Sequence, residues 1–122
     1  MSENELITIH GTPVLVMTED GALLDTIEAA TEVVGDAAWG QAELVAIPAV
    51  RLTDDFFELK TRLAGEITQK FVNYRLRLAI VGDIESRLSE SISLTAWVAE
   101  SNRGRQLWFV PTLDALAERL RA

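Results

Sequence analysis

The sequence contains no cysteine and a single histidine, His10. Without thiols there is no disulfide framework, no thiolate nucleophile and no cysteine-type zinc or iron–sulfur site, and one imidazole cannot supply a paired-histidine metal motif. Positive charge is also scarce. Eleven Lys and Arg face 19 Asp and Glu, a net charge of -8, which argues against a groove matched to nucleic-acid phosphates. The longest apolar runs, such as Leu78-Ala79-Ile80-Val81 and Leu107-Trp108-Phe109-Val110, are strand-sized, far short of the roughly 20 residues of a membrane span. The opening stretch MSENELITIHG holds two acids, no Lys or Arg and no apolar core, so no secretory signal is expected and the cytoplasm is the expected location.

What is present is an ordinary globular balance. With 48% hydrophobic and 25% charged residues, the 122-residue chain is rich enough in apolar side chains to bury a core. No linker, repeat or low-complexity tract divides it, so residues 1–122 read as one domain. Leu6 to Ile9 and Val14 to Met17 predict a hairpin turning at His10-Gly11-Thr12-Pro13. Leu23, Leu24, Ile27, Ala30 and Val34 predict a first helix over 22–34, stopped by Gly35. Leu44 to Pro48 reads as a buried strand. Thr53 to Asn73 reads as the longest helix, capped by Thr53, Asp54 and Asp55 and striped by Phe56, Leu59, Leu63, Ile67 and Phe71; it would span about 30 Å and overhang the sheet. A strand over 76–81 follows. A third helix from Ser86 or Ser89 would carry Leu88, Ile92, Thr95, Ala96 and Ala99, and a strand over 107–110 and a helix with Leu113, Leu116 and Leu120 complete the chain. The order β-β-α-β-α-β-α-β-α implies an α/β fold with a mixed five-stranded sheet and right-handed crossovers.

From Leu52 onward, the segments Phe56-Phe57, Leu59-Lys60-Thr61, Leu63-Ala64-Gly65-Glu66-Ile67, Gln69-Lys70-Phe71, Asn73-Tyr74, Leu78 to Asp83 and Glu100-Ser101-Asn102 resemble the bacterial domain of unknown function family 4180. The likeness covers most of the chain, and because that family has no established activity it implies membership rather than a reaction. The element order is also similar to the STAS domain of bacterial anti-sigma-factor antagonists. Those proteins bind a regulatory kinase and are switched by phosphorylation of a Ser or Thr where the third strand meets the second helix. Here that junction reads Val50-Arg51-Leu52-Thr53-Asp54-Asp55-Phe56, with one hydroxyl and no Ser-Gly pair, a departure from their pattern.

The chemistry-bearing residues fall into two groups. Lys60, Glu66, Gln69, Lys70 and Asn73 belong to the motif shared with the family and read either as a recognition surface or as a solvated face, with Glu58/Arg62 and Glu66/Lys70 spaced as i,i+4 pairs. Gly65, inside a helix, suggests close approach of another segment, within the chain or in a dimer. The carboxyl ends of parallel strands, where open α/β sheets bind ligands, hold Arg51, Thr53, Asp54 and Asp55, then Asp83, Glu85, Ser86 and Arg87, then Thr112. Their spacing matches no metal motif. No Gly-x-Ser-x-Gly elbow, Gly-x-Gly-x-x-Gly or P-loop occurs, so the sequence nominates no catalytic residue, metal ligand or cofactor. Trp97 and Trp108 read as packing residues, while Trp39, in a loop between glycines, is either an exposed contact or a lid. The expectation is a non-enzymatic STAS-like regulatory or protein-interaction domain with a protein partner, which a homodimer would also satisfy. The candidate binding residues are Lys60, Glu66, Gln69, Lys70, Asn73, Thr53, Asp54, Asp83 and Asn102. The alternative is a small-molecule binder or small enzyme using the strand-end cluster or the long helix.

Overall fold

The computed structural model describes residues 4–121; residues 1–3, part of the stretch read above for a secretory signal, lie outside them. Strands β1 (Glu5–Ile9) and β2 (Thr12–Val16) form the expected hairpin, paired from Glu5↔Val16 to Ile9↔Thr12. The turn is His10-Gly11, with φ of 46° and 84°; two left-handed residues give the hairpin a twist that matches its strands. Strands β3 (Leu44–Pro48), β4 (Arg77–Val81) and β5 (Leu107–Val110) each add parallel to the last, so the sheet order is β1-β2-β3-β4-β5.

Sequential order decides the layers. Right-handed crossovers that always step the same way place their helices on the same face of the sheet. Helices α1 (Ile27–Trp39), α2 (Asp54–Phe57), α3 (Leu63–Asn73) and α5 (Ile92–Arg103) accordingly share one core with Val45, Ile47, Leu78 and Ile80. The other sheet face, with Val14, Leu44, Ala46, Ala79 and Trp108, packs against α6 (Leu113–Arg121) through Leu116 and Leu120. A short α4 (Glu85–Leu88) precedes α5. Among the described residues, no helix is long and apolar enough to cross a membrane.

Three helix expectations are corrected. Helix α1 starts five residues later than expected and runs through Gly35: Leu24 is held by a bridge to Leu52, and the Thr26 hydroxyl accepts from the Ala29 N–H at 3.1 Å, making Thr26 the cap. Gly40 ends the helix, so Trp39 is its last residue, 92% exposed and no lid.

The long helix is broken. After α2, Glu58 is extended (φ -92°, ψ 96°), Leu59–Thr61 make a single 3-10 turn, and Arg62 is left-handed (φ 67°) before α3 begins. The Thr61 hydroxyl lies 2.6 Å from the Asp55 carbonyl and 2.8 Å from that of Glu58, which accept from the N–H groups three residues on rather than the four-on N–H groups of a continuous α-helix. The apolar stripe survives because the break restores the phase, leaving Phe56, Ile67 and Phe71 all buried. Helix α3 is therefore about 16 Å long at 1.5 Å per residue, not the roughly 30 Å expected. Thr53 occupies the cap position of α2, but its hydroxyl makes no capping bond and is buried without a partner among the described residues.

In the third crossover the working cap is Ser91, whose hydroxyl accepts from the Leu94 N–H at 3.1 Å, rather than Ser86 or Ser89. The later start rotates the buried face to Leu94 and Val98 and leaves Ile92 91% exposed. Trp97 is half-buried between Phe56 and Phe109, and Trp108 is buried, as expected for both.

Candidate functional site

The carboxyl end of β3 runs into a 3-10 turn, Ala49–Arg51, that delivers Arg51 into the interior. Arg51 is the one buried charged residue among those described. Its Nε donates to the Ala22 carbonyl at 3.0 Å and its Nη1 to the Thr18 carbonyl at 3.2 Å, so it stitches the loop after β2 to the end of β3. Gly21 makes room for it: a Cβ there would fall 2.3 Å from the guanidinium carbon. With two backbone acceptors and no space left above it, Arg51 is a structural clamp.

Farther along the same rim, α2 and the α4–α5 corner enclose an open cavity of about 540 Å³, lined by Asp54, Phe57, Glu58, Ser86, Arg87, Glu90, Ser91 and Leu94. Its residues come from two of the three strand-end segments nominated in the sequence, those after β3 and β4. Arg87 lies 4.6 Å from the Phe57 ring centroid and donates to Asp54 Oδ1 at 2.6 Å. Three carboxylates against one guanidinium leave the walls net negative, and the Phe57 face already carries the Arg87 guanidinium.

A second concavity, of about 450 Å³, is lined by Leu59, Arg62, Gly65, Glu66 and Trp97. Glu58 lines the first and its chain neighbour Leu59 the second. No segment of the same chain approaches Gly65: a Cβ there would meet nothing within 4 Å, and the glycine lies in an open slot that Trp97 also lines.

The other nominated residues scatter. Lys60, Glu66, Gln69 and Asn73 are exposed and Lys70 is partly so. Gln69 donates to Asn73 at 2.9 Å. Neither expected i,i+4 ion pair forms; the three pairs among the described residues are Arg87–Asp54, Arg103–Glu100 and Arg121–Glu118. For Glu58 and Arg62 the reason is the helix break between them. Asp83 Oδ1 accepts from the Glu85 N–H at 2.9 Å and Thr112 from the Ala115 N–H at 3.0 Å, both local caps. Asp55 and His10 are exposed, and no three acidic or imidazole groups among the described residues gather as a metal site.

Asn102 has a different task. Its Oδ1 accepts from the Phe109 N–H at 2.7 Å and its Nδ2 donates to the Phe109 carbonyl at 3.3 Å. Since Leu78 and Gly82 bond the carbonyls of Gln106 and Val110, Phe109 points its peptide groups away from β4, and the carboxamide stands in for a sixth strand. Sequence reasoning missed Phe57, Glu90, Ser91 and Trp97 as site residues; the only signal was that Phe56 and Phe57 are adjacent, so both cannot sit at the centre of one helical stripe.

No curated protein and no solved structure matches the chain. One family does, described as Domain of unknown function (DUF4180), over residues 9–120. That span takes in the hairpin turn, both concavities, the Arg51 clamp and the Asn102 clasp, and the chain belongs to this family.

Proposed function

We propose that this protein is a non-enzymatic interaction module that takes a protein partner on its helical layer, through a segment carrying a basic side chain next to an apolar one. The observation that carries the reading is that consecutive residues, Glu58 and Leu59, line two concavities of opposite character: one is acidic with an aromatic floor, the other apolar and floored by Gly65 and Trp97. Arg87 on Phe57 is an internal example of the cation such a partner would bring. With Asp54 91% exposed, the Arg87–Asp54 pair contributes at most about 1 kcal/mol, so an incoming guanidinium competes with it readily. The net charge of -8 favours encounter with a basic partner. The regulatory role implied by a STAS-like order would be exercised through this contact. Titration of short basic–apolar peptides, read by Trp97 fluorescence, tests it. Binding is expected to fall at least about tenfold in both Glu58→Arg and Gly65→Leu; equal binding of acidic peptides, or indifference to both substitutions, refutes it.

One observation favours a second reading, small-molecule binding. On the α6 side, Val16, Thr18, Pro48, Val81 and Leu113 line a largely apolar cavity of about 390 Å³ at the carboxyl ends of β2, β3 and β4, where such sheets bind ligands. The Thr18 hydroxyl is buried without a partner among the described residues, as a donor awaiting an acceptor would be. Native mass spectrometry of gently purified protein distinguishes the readings: a retained small molecule supports this one, and a Val81→Trp protein that keeps the adduct removes it from this cavity.

A further inference from the structure

At the other end of the sheet, two of the chain's 11 cationic side chains stack on one indole, and the charge of a third, Arg105, bears on the first of them. The guanidinium carbon of Arg77, the first residue of β4, lies 4.5 Å from the Trp108 ring centroid, and that of Arg119, on α6, lies 4.3 Å from it. Backbone carbonyls orient both: Arg77 Nε donates to Arg105 at 2.7 Å and Arg119 Nη2 to Asn102 at 2.6 Å. The indole is fixed in turn by its own N–H, which donates to the Gly104 carbonyl at 2.7 Å.

Stacking on Trp108 accounts for Arg77 and Arg119 but leaves two facts over. Among the described residues, none of Arg77, Arg105 and Arg119 has a carboxylate within 4 Å, whereas Arg87, Arg103 and Arg121 each have one. In addition, Arg77 Nη2 is buried with no hydrogen-bond partner among the described residues. Burial pushes the Arg77 guanidinium below the ordinary arginine range; Arg105 and Arg119 repel its charge, and Glu43 attracts it. Like charges held together, with a donor left over, are what an oxyanion site looks like before its anion arrives.

We propose that Arg77, Arg105 and Arg119 form a binding site for the phosphate group of a small phosphorylated molecule. A multiply charged tetrahedral oxyanion matches three guanidinium groups better than a single carboxylate does, because guanidinium forks pair bidentately with phosphate oxygens and more charge is neutralised. The site is separate from both concavities of the helical layer, so it stands or falls independently of the partner reading.

Pyrophosphate, inorganic phosphate and acetate, each titrated at constant ionic strength while the three indole N–H resonances are followed, provide the test. The Trp108 resonance is expected to shift saturably in the order pyrophosphate, phosphate, acetate, with Trp39 and Trp97 unmoved. Arg105 is exposed and its side chain makes no hydrogen bond among the described residues, so Arg105→Gln is expected to keep the fold and weaken pyrophosphate binding about tenfold. An unsaturable shift, equal response to acetate, or unchanged affinity in Arg105→Gln overturns the proposal.

Discussion

The two faces of the sheet are built on different terms. One is covered by three successive crossovers and buries all four phenylalanines, Phe56, Phe57, Phe71 and Phe109, along with branched residues from every strand after the hairpin turn. The other is covered by one nine-residue helix, and Ile7, Ile9, Val16 and Val81 are only partly buried there. The difference teaches where tolerance lies. On the crossover face each helix is tied into the sheet at both ends, so a lost side chain leaves a cavity that cannot close. On the α6 face one short helix makes the cover, held through few buried side chains, Leu116 and Leu120 foremost, and it can settle into lost volume.

The largest expected effect follows directly. Phe71→Ala should destabilise the protein by roughly 3–5 kcal/mol in urea unfolding, whereas Leu116→Ala, equally buried, should fall near the lower end of its class at roughly 2–3 kcal/mol. Equal losses would erase the contrast. Next comes the clamp at the carboxyl rim: Gly21→Ala drives a methyl into the Arg51 guanidinium and should cost roughly 1–3 kcal/mol, with Arg51→Ala in the same chain relieving the clash. If the two losses add, Arg51 does not pack as described. Asn102→Ala, at the border of the two faces, should cost about 1–2 kcal/mol and make thermal unfolding more prone to aggregation, seen by light scattering. The smallest effect is a gain. Gly35 sits exposed inside α1, and a Cβ there would meet nothing within 4 Å, so Gly35→Ala should stabilise by about 0.5–1 kcal/mol. A loss there would show that the helical layer is bounded by something other than solvent.

How much of this was written in the residues depends on the range of the interaction that decides each feature. Strands are fixed by short apolar runs between turn residues, and β3, β4 and β5 lie where those runs lie. The α/β class and mixed sheet followed from their alternation with helical patterns. Breaks inside a stripe are invisible to periodicity: Phe56, Leu59, Leu63, Ile67 and Phe71 all face inward whether or not Glu58 and Arg62 leave the helix. The start of α1 was misread for a related reason, because Leu23 and Leu24 keep helical spacing with Ile27 although Leu24 belongs to a bridge with Leu52. Of the candidate site, Asp54 was legible because strand ends gather polar residues. Its pairing with Arg87, 33 positions away, is a tertiary fact with no local trace. Asn102 stood out as part of a motif but for a reason the sequence conceals, since its partner is a backbone group rather than a ligand.

The Asn102 clasp also sets a direction for growth. A sheet has two open borders, and here the β5 border is occupied at Phe109 by a side chain from the same subunit, while β1 borders the sheet on the far side. Copies of this chain that joined by continuing the sheet would therefore meet β1 against β1, an antiparallel, two-fold arrangement that closes on itself after two subunits and cannot propagate into a fibre.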